Sequence, residues 1–315
     1  MGKIAFVFPG QGSQTVGMGK ELAQQDQEAA AFFAKADEKL GYSLSDIMFN
    51  GPQETLTLTY NAQPALLTVS SALVNRLNKE GIHADYAAGH SLGEYSALTY
   101  AGALRFEDAV YTVHMRGRYM EEAVPAGVGT MAAVLGMERE ELLKVTEEVS
   151  QGGDSVQLAN LNCPGQIVIS GTKKGVETAG EMAKERGAKR VIPLQVSGPF
   201  HSSLMKPATE KLEKVLDQIE IHDCKVPVVA NVDARPVQLA SDIRTKLLEQ
   251  LYSPVLWEDT IQTLLELGVD TFIEIGPGKV LSGLIKKVNR RVRTFAVSDE
   301  ESIRSTVQEL KEGTV

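Results

Sequence analysis

The chain is poor in residues that mark several common kinds of protein. It has two cysteines in 315 residues, Cys163 and Cys224. Neither sits in a C-x-x-C pair or in a cysteine–histidine cluster with zinc-ligand spacing. A disulfide-stapled scaffold and a structural zinc site are therefore not expected, and two lone thiols fit a reducing compartment. No apolar run approaches the ~18–20 residues a helix needs to cross a bilayer. Lys3 leads straight into a short apolar stretch, Ile4 to Phe8, without the charged leader and long apolar segment of a secretory signal. Positive charge is in deficit: 32 Lys and Arg face 41 Asp and Glu, a net charge of −9. Nucleic acid needs a basic surface, so it is not expected as the main partner. The expectation is a cytoplasmic protein with no membrane partner.

What remains is ordinary globular material, 43% hydrophobic and 23% charged. The length suits one large domain, or one large and one small. Lys3–Phe8 reads as a buried strand running into Pro9-Gly10. Helical spacing covers 20–40, 62–80, 92–101 and 106–122, with a weak strand at Tyr86 to Ala88. After Gly127 the pattern changes. Strands are expected at 130–135, 156–160, 166–170 and 190–196, with helices at 138–150 and 173–186. That strand–helix–strand–strand–helix–strand order is the ferredoxin-like one. The fold class is therefore α/β: a large unit, residues 1–127 and 197–315, with a mostly parallel sheet, and a small inserted ferredoxin-like unit, 128–196. Later strands of the large unit are expected at 227–231 and 271–275, near helices at 204–218, 258–267 and 277–287.

Gly89-His90-Ser91-Leu92-Gly93 matches G-x-S-x-G. A serine on a sharp strand-to-helix turn exposes its oxygen, and the next N–H, here that of Leu92, points at a developing oxyanion. Residues 86–101 supply the strand, turn and helix the motif needs. The pattern is short, and on its own it leaves an incidental serine in a glycine-bearing loop equally open. A second loop, Phe8-Pro9-Gly10-Gln11-Gly12-Ser13-Gln14, follows the first strand. It lacks G-x-x-x-x-G-K-[ST], and Thr15 stands where G-x-G-x-x-G needs its third glycine. An oxyanion donor fits this loop better than a phosphate cradle, since ligands of α/β proteins bind at carboxyl ends of strands.

A serine nucleophile needs a base. Of the five histidines, His90 adjoins Ser91 and reads as local structure. His83 and His114 read as packed or solvated, and His222 lies in a polar stretch. His201 stands in Ser197-Gly198-Pro199-Phe200-His201-Ser202, directly after the proposed insert, and is the candidate base. The residues alone leave its role open.

Taken together the motifs resemble the malonyl-CoA:acyl carrier protein transacylases. The resemblance spans nearly the whole chain. It rests on F-P-G-Q-G-S-Q (8–14), G-H-S-L-G-E-Y (89–95), Met115 to Met120, N-x-P-G-Q as Asn162 to Gln166, G-P-F-H-S (198–202), Gln250-Leu251-Tyr252 with Pro254-Val255, and Glu274 to Gly278. It implies that Ser91 is acylated and that His201 is base and then acid. A main-chain carbonyl near Gln250, rather than an aspartate, would orient His201. It also implies that Gln11 and Leu92 hold the oxyanion through backbone N–H groups, that Arg116 pairs with the malonyl carboxylate, and that Asn162 and Phe200 help bind substrate. A ring at Phe200 would crowd a branched methylmalonyl group. Arg118 is expected at the surface.

No metal or cofactor is implied; the coenzyme A thioester is the substrate. The implied partners are malonyl-CoA and an acidic acyl carrier protein. Lys286-Lys287 with Arg290-Arg291 and Arg293, or Lys189-Arg190, would supply a local basic docking surface. The rivals are a thioesterase or carboxylesterase, and a non-catalytic carrier-binding scaffold. A hydrolase of this type places an acid between serine and histidine and its histidine near the C-terminus. Here 114 residues follow His201, and Arg116 would lack a task. A scaffold would tolerate loss of Ser91 or His201, and both are present.

Overall fold

A computed structural model describes residues 2–125 and 127–312. Met1, Ala126 and residues 313–315, which include both ends of the proposed large unit, lie outside the described residues. Ten strands are present among those described: β1 (Lys3–Phe8), β2 (Tyr86–Gly89), β3 (Gly129–Leu135), β4 (Val156–Cys163), β5 (Gln166–Thr172), β6 (Arg190–Pro193), β7 (Val228–Val229), β8 (Pro236–Val237), β9 (Val269–Ile275) and β10 (Arg293–Val297).

Six of them form one sheet in the order β10-β9-β1-β2-β7-β8. Its pairs are parallel except β7 with β8. The central strand β1 explains why this segment reads as an unbroken apolar run. Ala5 to Phe8 are fully buried, Phe6 and Phe8 into one core cluster and Ala5 and Val7 into another on the opposite face. Phe8 lies opposite Gly89. The carboxyl ends of β1 and β2, and the loops that leave them, are therefore side by side.

The remaining four strands form a separate antiparallel sheet in the order β4-β5-β3-β6. Helices Arg139–Gln151 and Lys173–Glu185 pack on it. Leu142, Val145, Val176, Ala179 and Ala183 meet Val134, Leu158, Ile167 and Ile169 in their own core. This is the ferredoxin-like order anticipated from the pattern. Its outer strand β4 touches the chain that follows Gln250: the Leu161 N–H donates to Val255 O (2.9 Å) and the Val255 N–H to Ala159 O (2.8 Å).

Several boundaries differ from the sequence reading, for identifiable reasons. The stretch 20–40 is two helices, Lys20–Gln25 and Gln27–Leu40, because the Asp26 side chain accepts from the N–H groups of Glu28 and Ala29 and starts a new helix. The helix expected to open at Ala62-Gln63-Pro64 begins at Thr59. Its first N–H is bound by Glu121 Oε1 from another helix (2.9 Å), a partner 62 residues away. Pro64 then lies inside the helix and has no N–H for the Tyr60 carbonyl. His114 Nδ1 takes that carbonyl instead, at 2.8 Å. The strand expected over 190–196 ends at Pro193, and that over 227–231 shrinks to Val228–Val229. Helices Leu44–Asn50, Gln53–Thr57, Ala240–Gln250 and Glu300–Glu312, and strands β8 and β10, were not apparent from local pattern.

Two glycines let the serine turn pack against β1. A Cβ on Gly93 would lie 2.0 Å from the Phe8 carbonyl oxygen, and one on Gly89 would lie 1.9 Å from the Gly93 backbone. Both obstacles are main chain and cannot swing aside. Gly93→Ala is therefore expected to destabilise the protein by about 3 kcal/mol and to lose serine reactivity, which thermal unfolding and active-site titration would check.

Candidate active site

Ser91 sits between β2 and helix Leu92–Tyr100 with φ 51° and ψ −107°. Among the described residues only Ser91, His201 and Ala234 are non-glycine residues with positive φ. Two of those three face each other. Such conformations persist only where the surroundings enforce them, and they cluster at functional sites. Around Ser91 the enforcement is visible. The Ser91 N–H donates to Asn231 Oδ1 (2.8 Å), and Asn231 Nδ2 donates to Gly89 O (2.7 Å). The N–H groups of Gly93 and Glu94 turn back onto His90 O and Ser91 O.

Ser91 Oγ lies 2.7 Å from His201 Nε2. His201 Nδ1 lies 2.9 Å from the Gln250 main-chain oxygen. A carbonyl only accepts, so Nδ1 carries the proton, and Nε2 is left to accept from the serine hydroxyl. The orienting group is thus a main-chain carbonyl at the end of helix Ala240–Gln250, as the resemblance implied. The backbone of the His201 loop is also held. Gln157 on β4 donates to His201 O (3.3 Å) and accepts from the Ser203 N–H (2.9 Å). His201 is buried. Burial, with the nearby Arg116 charge second, pushes its imidazole down to about 3. The resting imidazole is therefore neutral throughout the physiological range, its Nε2 lone pair free to accept from the serine.

Arg116 comes from helix Phe106–Glu122 and is 1% exposed. Its Nη1 donates to Gln63 Oε1 (2.8 Å). Its Nη2 donates to Gln250 Oε1 (2.8 Å) and reaches Ser91 Oγ at 3.2 Å. The guanidinium lies over the Tyr95 ring, 5.5 Å from its centroid. Arg118, two residues on, is half exposed and pairs with Glu122. Every direct hydrogen-bond partner of the Arg116 fork is neutral, and the buried Glu94 acid acts on its charge only from beyond the Gln250 amide.

These groups open onto a cavity of about 400 Å³, lined by Gln11, Leu92, Met131, Asn160, Phe200 and the three residues above. Gln11 lies at its edge, its side-chain amide donating to Thr59 Oγ1 (3.3 Å). Asn162 is placed less directly than the sequence suggested. Its Oδ1 is taken by His90 Nε2 (2.8 Å), and the cavity wall carries Asn160 instead. His90 lies against Trp257 with the rings tilted by 58° and their centroids 5.6 Å apart. It is partly buried, borders the cavity and supports Asn162. The sequence reading did not single out Gln63, Asn231 or Gln157. Each is an uncharged polar residue without a motif of its own, and only the fold brings it to the site.

The family pattern described as "Acyl transferase domain" matches residues 5–310. This chain belongs to the acyl transferase domain family. The acyl transferase is 64% identical over 312 residues to the malonyl CoA-acyl carrier protein transacylase of Bacillus subtilis (strain 168), covering 99% of this chain and 98% of the relative. It is 46% identical to the protein of that name from Staphylococcus aureus (strain MRSA252), covering 96% and 98%. Among solved structures, the malonyl CoA-acyl carrier protein transacylase of Clostridium perfringens superposes with a TM-score of 0.96 at 43% identity, covering 99% and 98%. A malonyl-transacylase solved in complex with a type II PKS acyl-carrier protein superposes at 0.94 with 44% identity, covering 98% and 99%. The serine, histidine and cavity thus stand on an acyltransferase fold with a mostly parallel sheet and a separate antiparallel one.

The depressed histidine makes a measurable prediction for this acyl transferase. Modification of Ser91 by a sulfonyl fluoride should proceed at a steady rate from about pH 8 to about pH 5, past the ordinary histidine value of 6.5. Arg116→Ala removes a charge that pushes the imidazole down, so its acid fall-off should begin at higher pH. An inflection near 6.5 in the parent protein would contradict the assignment.

Proposed function

We propose that the protein moves a malonyl group from malonyl-CoA to the phosphopantetheine thiol of an acyl carrier protein, through a malonyl-serine intermediate. The observation that carries this reading is the position of Arg116: a buried guanidinium 3.2 Å from the nucleophile oxygen, with only neutral direct partners. An acyl chain attached to Ser91 and ending in a carboxylate offers the bidentate partner such a fork accepts. An acetyl group leaves the charge buried and unpaired. The names of the full-length relatives agree.

In the first half-reaction Ser91 Oγ attacks the thioester carbonyl while His201 Nε2 takes its proton. The oxyanion forms where the Leu92 N–H, at the start of a helix, and the Gln11 N–H are offered. Losing one such donor costs about 2.7–4 kcal/mol. His201 then returns the proton to the departing coenzyme A thiolate. In the second half-reaction the carrier thiol gives its proton to His201 and attacks the malonyl ester, and Ser91 regains its hydrogen. One thioester replaces another, so the exchange needs no energy source, metal or cofactor. Phe200 and Asn160, with the support of His90 and Asn162, border the acyl chain.

The reading places the enzyme in fatty acid synthesis and in the cytoplasm. Two buried free thiols, Cys163 and Cys224, support a reducing compartment, and no helix among the described residues is long and apolar enough to cross a membrane. The residue boundaries 1–127, 128–196 and 197–315 are proposed as the division into catalytic and inserted units.

Intact-protein mass spectrometry after brief mixing with malonyl-CoA tests the chemistry. A malonyl adduct is expected on the parent protein, absent in Ser91→Ala, and cleared by added carrier. An adduct that decays as fast in buffer alone would indicate a hydrolase. Arg116→Ala should lower the malonyl-over-acetyl preference at least tenfold, about 1.4 kcal/mol. For docking, Lys286 and Lys287 are exposed at the end of helix Val280–Val288, and Lys287 Nζ reaches Gln166 Oε1 (2.9 Å) at the foot of β5. Reversing both charges to Glu should weaken carrier binding while leaving acylation by malonyl-CoA intact; unchanged carrier affinity would remove this surface from consideration.

A further inference from the structure

Glu94 follows Ser91 by three residues, is 1% exposed, and has no task in the reaction described above. Its Oε2 accepts from Gln250 Nε2 at 2.7 Å and from the Asn231 N–H at 3.2 Å. A buried carboxylate is costly unless its bonds are strong and well placed, so its partners show what it is set against.

Gln250 is the hub of the site. Its main-chain oxygen holds His201 Nδ1, and its side-chain oxygen holds Arg116 Nη2. The two ends of an amide are almost the same shape, and only their partners distinguish them. Here the Nε2 end faces three acceptors: Glu94 Oε2, Ser91 O at 3.0 Å and, at the limit of reach, Asn231 Oδ1. The Oε1 end faces a donor, Arg116. Turning the amide over would set N–H against N–H at Arg116 and oxygen against oxygen at Glu94. Removing Glu94 leaves the Ser91 carbonyl as the stronger remaining hold, because the other acceptor, Asn231 Oδ1, lies at 3.5 Å.

We propose that Glu94 is a positioning residue for acyl-group selection: its carboxylate oxygen clamps the Gln250 amide with the carbonyl toward Arg116, so that the guanidinium is held ready for the substrate carboxylate. The inference rests on the reading that Arg116 takes that carboxylate. The clamp depends on reach rather than charge. Burial pushes the Glu94 acid up to about 7, and because Oε2 faces two N–H donors the proton of the neutral form belongs on Oε1, leaving Oε2 to accept in either state. A glutamine preserves the accepting oxygen at the same distance. An aspartate keeps the charge and falls short by one methylene.

Four variants test the proposal: Glu94→Ala, Glu94→Asp, Glu94→Gln and Arg116→Ala. For each, kcat/KM is measured with malonyl-CoA and with acetyl-CoA, and folding is checked by thermal melting. Glu94→Ala and Glu94→Asp should lower the malonyl-to-acetyl ratio about tenfold, and Glu94→Gln should keep it within about threefold. A general loss of structure lowers both rates and leaves the ratio alone, so the ratio separates positioning from folding. Should Glu94→Ala fail to fold, the Asp and Gln variants carry the same contrast. An unchanged ratio in both Glu94→Ala and Glu94→Asp, or in Glu94→Asp alone where the alanine variant is unfolded, overturns the proposal if Arg116→Ala does lower it. A Glu94→Gln ratio as low as that of Glu94→Asp also overturns it, because charge would then be implicated. An unchanged ratio in Arg116→Ala overturns the underlying assignment of the carboxylate site instead.

Discussion

The site depends on one backbone constraint, the left-handed turn at Ser91. The chain leaves β2 and must reverse into a helix within a single residue, while the Phe8 carbonyl presses on it from β1. Glycine on both sides of the serine removes the atoms that would collide. The turn fixes where the hydroxyl stands, and it directs the Ser91 N–H inward to Asn231 and the helix start outward to the cavity. The other groups are then placed relative to that point by separate elements. Arg116 arrives on one helix, Gln250 on another, and His201 on a loop held by Gln157 of the small sheet.

Charge is distributed in this site with unusual economy. A buried guanidinium is commonly held by a carboxylate, which neutralises it. Here two glutamine oxygens satisfy the geometry of the fork, and the one buried acid that acts on it, Glu94, stands behind the Gln250 amide rather than in contact. That arrangement has an electrostatic consequence for the histidine, whose imidazole is held down partly by Arg116. A substrate carboxylate bound to Arg116 offsets the same charge. Binding the matching acyl group therefore makes the base stronger, which ties recognition to reactivity.

Much of this was legible in the sequence because the chemistry uses short, local patterns. The nucleophile turn needs glycines at fixed offsets from Ser91, and the small unit alternates strands and helices in a recognisable order. His201 was found because its loop follows directly on that unit. The supporting residues were less visible. Gln63 precedes a proline and reads as a helix start, because the true start at Thr59 depends on a carboxylate from a distant helix. Asn231 lies in a turn two residues beyond a strand of only two residues. Glu94 is an acid on a short helix, and nothing local distinguishes a buried one from a solvated one. Their roles follow from tertiary contacts across up to 156 positions, which no local pattern encodes.

The carbonyl behind His201 has a further consequence. A carboxylate in that position would stabilise the imidazolium and make the histidine a stronger base. With the Gln250 carbonyl in its place, and with the imidazole deeply buried, the histidine is a reluctant proton acceptor. Thiols ionise near pH 8.5, whereas water and a serine hydroxyl are both far weaker acids. The carrier thiol therefore asks less of this base than Ser91 does, and the serine has the Arg116 guanidinium 3.2 Å from its oxygen to favour loss of its proton. One histidine thus serves two unequal tasks, and the harder of them, at Ser91, is the one for which the fold supplies a neighbouring charge.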